Sequence, residues 1–323
     1  MPVPSPEFDL IAQYFSKLGH NELVQLGVGD DAAITTVPVD CELVTTVDTL
    51  IAGVHFFPDA EPASIAYKAL AVNLSDLAAM AAKPTWFTLS LTLPEIDKVW
   101  LAEFSRGLSE LALEHGIALI GGDTVRGPLS ITIQACGLVE QGQALRRDGA
   151  KVGDGIFVTG SLGDACLALA FIKGENSIDS VNQSIICEKL HCPIPRVKAG
   201  LNLSHFANSA IDISDGLAAD LSHILTKSGV GAELLLKSIP LSDAMRNSVS
   251  EDDGYKMAFY GGDDYELCFT VPKNKSDAML AHLEAENCSV YRIGTIIEEK
   301  GLWCIGAGGE RESVESRGYD HFS

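Results

Sequence analysis

Apolar and polar residues alternate from Thr85 to Leu93. Phe87, Leu89, Leu91 and Leu93 fall on one side and Thr88, Ser90 and Thr92 on the other, the period of a strand with one buried face. Leu129 to Val139 repeats the pattern, and the β-branched run Val44, Thr45, Thr46, Val47 predicts a strand over Glu42 to Thr49. Between these strands, Ser64 to Ala82 is almost continuously apolar. It predicts a long helix, which Pro84 is expected to stop. A second helix is predicted from Ile96 to Glu114, ended by Gly116, and a short strand from Ile117 to Ile120. The opening helix is marked by Ser5 as N-cap, Pro6 at the first helical position and the acids Glu7 and Asp9. Phe8, Ile11, Phe15 and Leu18 form its buried face, and Gly19 ends it.

The second half again mixes the two periods. Strands are predicted at Gly155 to Thr159, Ala210 to Ile213 and Glu266 to Val271, and helices at Asp164 to Ile172, Leu217 to Lys227 and Asp277 to Glu286. Between Gln141 and Gly155 the chain turns polar and glycine-rich and carries Arg146, Arg147 and Lys151. The domain boundary is therefore expected near residue 148, giving domains 1–148 and 149–323. The fold class expected is α+β, as two layered domains.

Composition removes several function classes. With 44 acidic against 23 basic residues the formal charge is -21, which repels nucleic acid and anionic lipid, and no run of Lys and Arg offsets it. No membrane-length apolar stretch occurs, and Met1 to Gly19 lacks the basic start and apolar core of a signal peptide, so a cytoplasmic location is expected. The 8 cysteines include no CxxC pair and are expected to be reduced small hydrophobes, not zinc ligands or disulfides.

Carboxylates recur beside glycines or at element ends: Asp30-Asp31, Asp48, Asp76, Gly121-Gly122-Asp123, Asp212 and Asp215-Gly216, and Gly261-Gly262-Asp263-Asp264. A single Asp-Gly step is ordinarily a turn or a cap. Asp76 is different, because it interrupts the apolar helix between Ala71 and Ala78, where an isolated charge is costly. Asp48 likewise sits in a β-branched strand that disfavours Asp. Carboxylates that converge repel one another unless they hold divalent cations. With only oxygen ligands the ion is hard: magnesium, manganese or calcium. The paired glycines allow backbone N–H groups to approach phosphate closely. No P-loop, dinucleotide-binding or protein-kinase motif is present, so the phosphate chemistry belongs to another fold.

The motifs Gly27-Val28-Gly29-Asp30-Asp31-Ala32-Ala33, Asp48-Thr49-Leu50, His55-Phe56, Ala69 to Met80, Ile120 to Thr124, Asp212 to Leu217 and Gly261 to Leu267, in this order, resemble the bacterial thiamine-monophosphate kinases. The likeness runs from Phe8 to Gly318-Tyr319-Asp320-His321-Phe322. That family belongs to the aminoimidazole-ribonucleotide-synthetase-like (PurM-like) superfamily. The resemblance implies a two-domain architecture, with an N-terminal domain that binds metal and ATP and dimerises through its sheet, and an α+β C-terminal domain.

The resemblance also implies ATP as co-substrate, several Mg2+ ions, thiamine monophosphate as acceptor and a homodimer. It puts metal on Asp31, Thr46, Val47 through its carbonyl, Asp48, Asp76, Asp123, Asp212 and Asp215. ATP would meet Gly122, Asp123, Arg147 and Ser214, and thiamine phosphate would meet His55, Asp263 and Tyr319. Asp263 stands where the related motif carries Glu, and its carboxylate reaches about one methylene less far. The acceptor is a phosphate oxygen, already largely anionic at pH 7 because its second pKa is about 6, so no catalytic base or phosphoenzyme is expected and transfer should be direct and in line. Related selenophosphate synthetases and hydrogenase-maturation proteins would need a reactive cysteine near one terminus, which Met-Pro-Val-Pro-Ser and His-Phe-Ser do not supply.

Overall fold

The computed structural model describes residues 10–16 and 18–319; the expected helix signals at Ser5, Pro6, Glu7, Phe8 and Asp9 and the closing residues 320–323 lie outside them. Of the opening helix, a π-type turn over Ile11–Phe15 is described, with Phe15 buried. By its internal contacts the chain divides into two compact units, one made of residues up to Leu77 plus Ala82–Gly142, the other of Ala78–Ala81 plus the chain from Gln143 onward.

The first unit runs β1 (Val24–Leu26), β2 (Ile34–Thr35), β3 (Cys41–Ile51), α1 (Pro62–Ala79), β4 (Lys83–Leu93), α2 (Lys98–His115), β5 (Ala118–Arg126) and β6 (Ser130–Glu140). The last four strands named from β3 onward form one sheet in the order β3-β6-β4-β5, antiparallel except for β4 with β5. The alternation in β4 and β6 gives the sheet its core face: Phe87, Leu89, Leu91, Ile131, Ile133 and Ala135 are all buried. In α1, Ile65, Leu70, Leu74 and Leu77 are buried and so are Lys68, Asn73 and Ser75, so the helix is enclosed on nearly every side. Asp97 caps α2 by accepting the N–H groups of Val99 and Trp100, and Gly116 closes it in the left-handed conformation.

Two sequence expectations change here. Pro84 does not end α1, which already stops at Ala79; it is the second residue of β4. The strand expected at Ile117 to Ile120 runs on to Arg126. The Gly121-Gly122 step reads as a break, yet Gly122 (φ 152°) lies so close to β4 that a Cβ there would sit 1.8 Å from the Leu89 carbonyl oxygen. Glycine thus lets the parallel pairing continue.

The second unit contains β7 (Gly155–Thr159), α3 (Asp164–Ile172), α4 (Ser180–His191), α5 (Val197–Leu203), β8 (Ser209–Ile213), α6 (Leu217–Ser228), β9 (Gly231–Leu235), α7 (Asp243–Ser248), α8 (Glu251–Tyr260), β10 (Glu266–Val271), α9 (Lys273–Ala285), β11 (Val290–Ile297), β12 (Gly301–Ile305) and β13 (Arg311–Ser313). Its seven strands form one sheet, β13-β12-β9-β11-β7-β10-β8, in which only β12 and β9 are parallel. β7, β8 and β10 are buried at every position, and Phe157 stacks on Phe269 at 5.7 Å. All 8 cysteines are free thiols. Among the described residues no helix is long and apolar enough to cross a membrane.

Candidate active site

In the first unit, Asp48 and Thr46 lie on the core face of β3, opposite Ile133 and Ala135 of β6. Asp76 comes down from α1, and the Thr46 hydroxyl donates to its Oδ2. Asp48 is thereby held in a poorly solvated spot near a second carboxylate, and burial first, then the charge of Asp76, pushes its pKa up to about 7. Protonation of Asp48 or a cation relieves the repulsion of two such carboxylates, and a set made only of carboxylates and a hydroxyl suits a hard divalent ion. The buried Asn73 Oδ1 of α1, one turn before Asp76, has no hydrogen-bond partner. Among the described residues, no group of three His, Cys, Asp or Glu is gathered closely enough to hold an ion by itself.

The other candidates of this unit are more exposed. Asp31 lies in the β1–β2 connection, where its N–H donates to Asp30 Oδ1 at 2.8 Å. Asp123 pairs in register with Ser90, next to Gly122. Val47 is 61% exposed on the outer face of β3. His55 Nδ1 accepts the Ile51 N–H at 3.0 Å, so in the neutral ring the proton sits on Nε2.

In the second unit, the end of β8 and the start of α6 gather Asp212, Ser214 and Asp215. The Asp263 N–H donates to the Ser214 carbonyl at 2.9 Å and the Tyr319 N–H to the Asp215 carbonyl at 3.3 Å, which brings two of the three expected substrate contacts to this loop. Gly262 packs so tightly against it that a Cβ would lie 2.4 Å from the Ser214 oxygen. Asp263 (φ 70°) and Tyr265 (φ 50°) are left-handed, a conformation that non-glycine residues hold only when their surroundings impose it. Here the constraint is visible: the Tyr265 hydroxyl donates to Asp263 Oδ1 at 3.1 Å, and the Tyr265 N–H donates to the Ile213 carbonyl at 2.8 Å.

Two residues that the motifs left without a role hold this loop. Asp220, in the first turn of α6, accepts the N–H groups of both Ser214 and Asp215 at 3.0 Å. Burial pushes its pKa up to about 7, against the pull of those N–H groups and of the nearby Arg147. Arg147 therefore lies within electrostatic reach of the same loop. Asp264 is half-buried, accepts the Gly163 N–H at 2.8 Å, and desolvation raises its pKa above the usual carboxylate value. The signal for Asp220 was its spacing, five residues after Asp215 and on the helix that Asp215-Gly216 opens.

The fold and these carboxylate-rich loops define a two-domain protein of the AIR synthase class. The family model "AIR synthase related protein, N-terminal domain" matches residues 29–139, and its C-terminal domain counterpart matches residues 151–305. The chain is 46% identical over 322 residues to the thiamine-monophosphate kinase of Escherichia coli K12, covering 98% of each. It superposes on the thiamine-monophosphate kinase of Stenotrophomonas maltophilia with a TM-score of 0.84 at 45% identity, over 90% of this chain and 92% of that one. AaThiL complexed with AMPPCP and TMP matches with a TM-score of 0.78 at 30% identity, over 91% and 92%. The chain belongs to the thiamine-monophosphate kinase family.

Proposed function

We propose that this protein transfers the γ-phosphoryl group of ATP to the phosphate of thiamine monophosphate, giving ADP and thiamine diphosphate as the final step of thiamine diphosphate formation. The observation that carries the reading is the Asp48–Asp76 pair, two carboxylates that call for a hard cation on a fold whose relatives include one bound to AMPPCP and TMP. Bound Mg2+ would neutralise the phosphate oxygens so that two anions can approach. Asp31, Thr46, the Val47 carbonyl, Asp48, Asp76 and Asp123 would hold such ions in the first unit, and Asp212 and Asp215 in the second.

Arg147, Ser214, Gly122 and Asp123 would orient ATP. His55 would donate to the acceptor from Nε2, since Nδ1 is occupied by the Ile51 N–H. Tyr319 offers an aromatic face to the cationic thiazolium, beside Asp263. The acceptor oxygen attacks the γ-phosphorus as its bond to the bridging β,γ-oxygen breaks, ADP departs and no proton need move, so no side chain acts as base or carrier. A homodimer through the first unit's sheet is part of the reading, motivated by the outer face of β3, where Leu43, Val47 and Ile51 are exposed in a row. A light-scattering mass equal to one 34.4 kDa chain would refute it. The cytoplasm, which supplies ATP, is the proposed location.

Incubation of the protein with ATP, Mg2+ and thiamine monophosphate, followed by separation of the thiamine species, tests the reaction. Thiamine diphosphate should accumulate in step with ADP, with inversion when the γ-phosphorus is made chiral. ATP consumption at the same rate without the acceptor would overturn it.

A further inference from the structure

A second charged site lies in the second unit, lined by residues to which no role toward metal, ATP or acceptor was given above. An open cavity of about 800 Å³ is formed where the end of β7, the start of β11 and the segment from Lys237 to Arg246 face one another. Its size is that of a small-ligand site. Its charge is the reverse of the molecule's: five of the 23 Lys and Arg line it (Lys189, Arg196, Lys237, Arg246 and Arg292), against one of the 44 Asp and Glu, Asp243. These cations come from separate places along the chain, in α4, at the start of α5, after β9, in α7 and in β11, so the cluster is made by the fold and not by a local basic run.

The five cations are not equivalent. Arg196 makes a two-pronged pair with the buried Glu266 at 2.5 and 2.6 Å, and Thr159 donates to the same carboxylate at 2.6 Å; this forms a fixed floor. Lys237 is held by Glu251 at 2.6 Å. Lys189 and Arg246 have no ion pair among the described residues, while the Arg292 guanidinium donates to the Thr295 hydroxyl at 3.1 Å and lies toward the Gly155 end of β7. Arg246 also lies near enough to Lys237 for its charge to work against the protonated amine. Arg246 is also within electrostatic reach of Glu251, yet like charges gathered at a concave surface favour an anion between them. Guanidinium groups suit phosphate because their planar N–H donors match its oxygens in pairs. Ser238 and Ser289 line the same walls, the Ser161 hydroxyl donates to Asp164 Oδ2 at 2.8 Å, and Tyr291, Val290 and Pro240 offer apolar surface.

We propose that this cavity is a second binding site, for a small metabolite carrying a diphosphate or triphosphate group. The phosphate group is held by Lys189 and Arg246, and the organic portion rests on Tyr291 and Pro240. It differs in kind from the acidic loops described above: those need divalent cations to meet phosphate, and this cavity does not.

That difference makes the site separable by experiment. Calorimetric titration of inorganic diphosphate into the full chain in EDTA and low salt should give one-to-one binding, which the metal-requiring loops cannot provide. The double variant Lys189→Gln/Arg246→Gln should bind roughly tenfold or more weakly, since each lost charge-assisted contact is worth up to about that factor, while Asp76→Asn should leave the affinity unchanged. Melting of each variant within a few degrees of the wild type certifies folding. Titration of thiamine diphosphate and of ATP under the same conditions identifies the organic portion by whichever binds more tightly. Absence of binding in EDTA, or an unchanged affinity in the Lys189→Gln/Arg246→Gln variant, overturns the proposal. Because the probe binds without metal or acceptor, either result leaves the reaction proposed above standing.

Discussion

Asp48 in the first unit and Asp220 in the second are both withdrawn from solvent, and both have a pKa pushed up to about 7. Their surroundings differ in one respect that decides what each is for. Asp220 is met by two backbone N–H groups at 3.0 Å, so its oxygen completes the Ser214-Asp215 loop whether or not anything is bound. Asp220 too faces a second acid, Asp215, but at Asp48 burial and the charge of Asp76 act with no N–H group to offset them. The first arrangement holds a loop in place; the second fits the proposed cation site. A raised pKa alone does not separate the two cases, whereas the identity of the neighbours does.

The largest effect expected from this contrast is on turnover. Asp48→Asn and Asp76→Asn should each lower activity by roughly a hundredfold or more, because a ligand to the phosphate-bridging cation is lost while the fold is not loaded. Measured kcat at saturating ATP and acceptor checks this, and a variant within a few-fold of wild type would remove that carboxylate from the metal set. Asp220 should behave in the opposite way. At pH 6, Asp220→Ala should destabilise the protein by about 3 kcal/mol, since two enclosed N–H groups lose their acceptor, and Asp220→Asn, which keeps an oxygen, should recover most of it. Denaturant unfolding distinguishes the two; equal stability of both variants would show that the hydrogen bonds to the loop carry little.

A smaller effect follows from the sign of the Asp48 shift in metal-free protein. The folded state binds this proton up to about pH 7 and the unfolded state releases it near 3.8, so stability from this group is greatest below pH 4 and falls as pH rises toward 7. Asp220 contributes a slope of the same sign, so Asp48→Asn should flatten only part of the decline, on the order of 2 kcal/mol between pH 5 and 8. Unfolding in EDTA across that range reads it directly. The smallest change expected is at Asp263. Restoring the longer side chain in Asp263→Glu should lower KM for thiamine monophosphate by a few-fold, about 1 kcal/mol, with kcat little altered. A raised KM would mean that the left-handed backbone at Asp263 tolerates only the shorter acid.

Much of this contrast was legible before the fold. Alternation located β4 and β6, and the misfit of Asp76 in an apolar helix and of Asp48 in a β-branched strand singled out the pair. Asp220 escaped because an acid in the first turn of a helix is common, and only the folded loop shows what it accepts. The outer strands of the second sheet also left weak traces: β11 is broken by Arg292 and Gly294, where its pairing with β7 shifts register, and β12 and β13 are five and three residues long. In α4 the apolar Val181 and Ile185 are exposed, so no buried stripe announced that helix. The basic cavity left no trace at all, since its five cations come from five separate segments.

The claim that Asp48 and Asp76 are an incomplete pair waiting for a divalent cation is tested most directly by melting wild type and Asp76→Asn side by side at pH 8, in EDTA and in saturating Mg2+. In EDTA the variant should melt higher than wild type, because one of two facing charges is gone. In Mg2+ the wild type should rise by several degrees, corresponding to about 2.7 kcal/mol at a hundredfold excess over Kd, and the variant by clearly less. A wild type indifferent to Mg2+, with a metal-free variant that melts lower, would contradict the account.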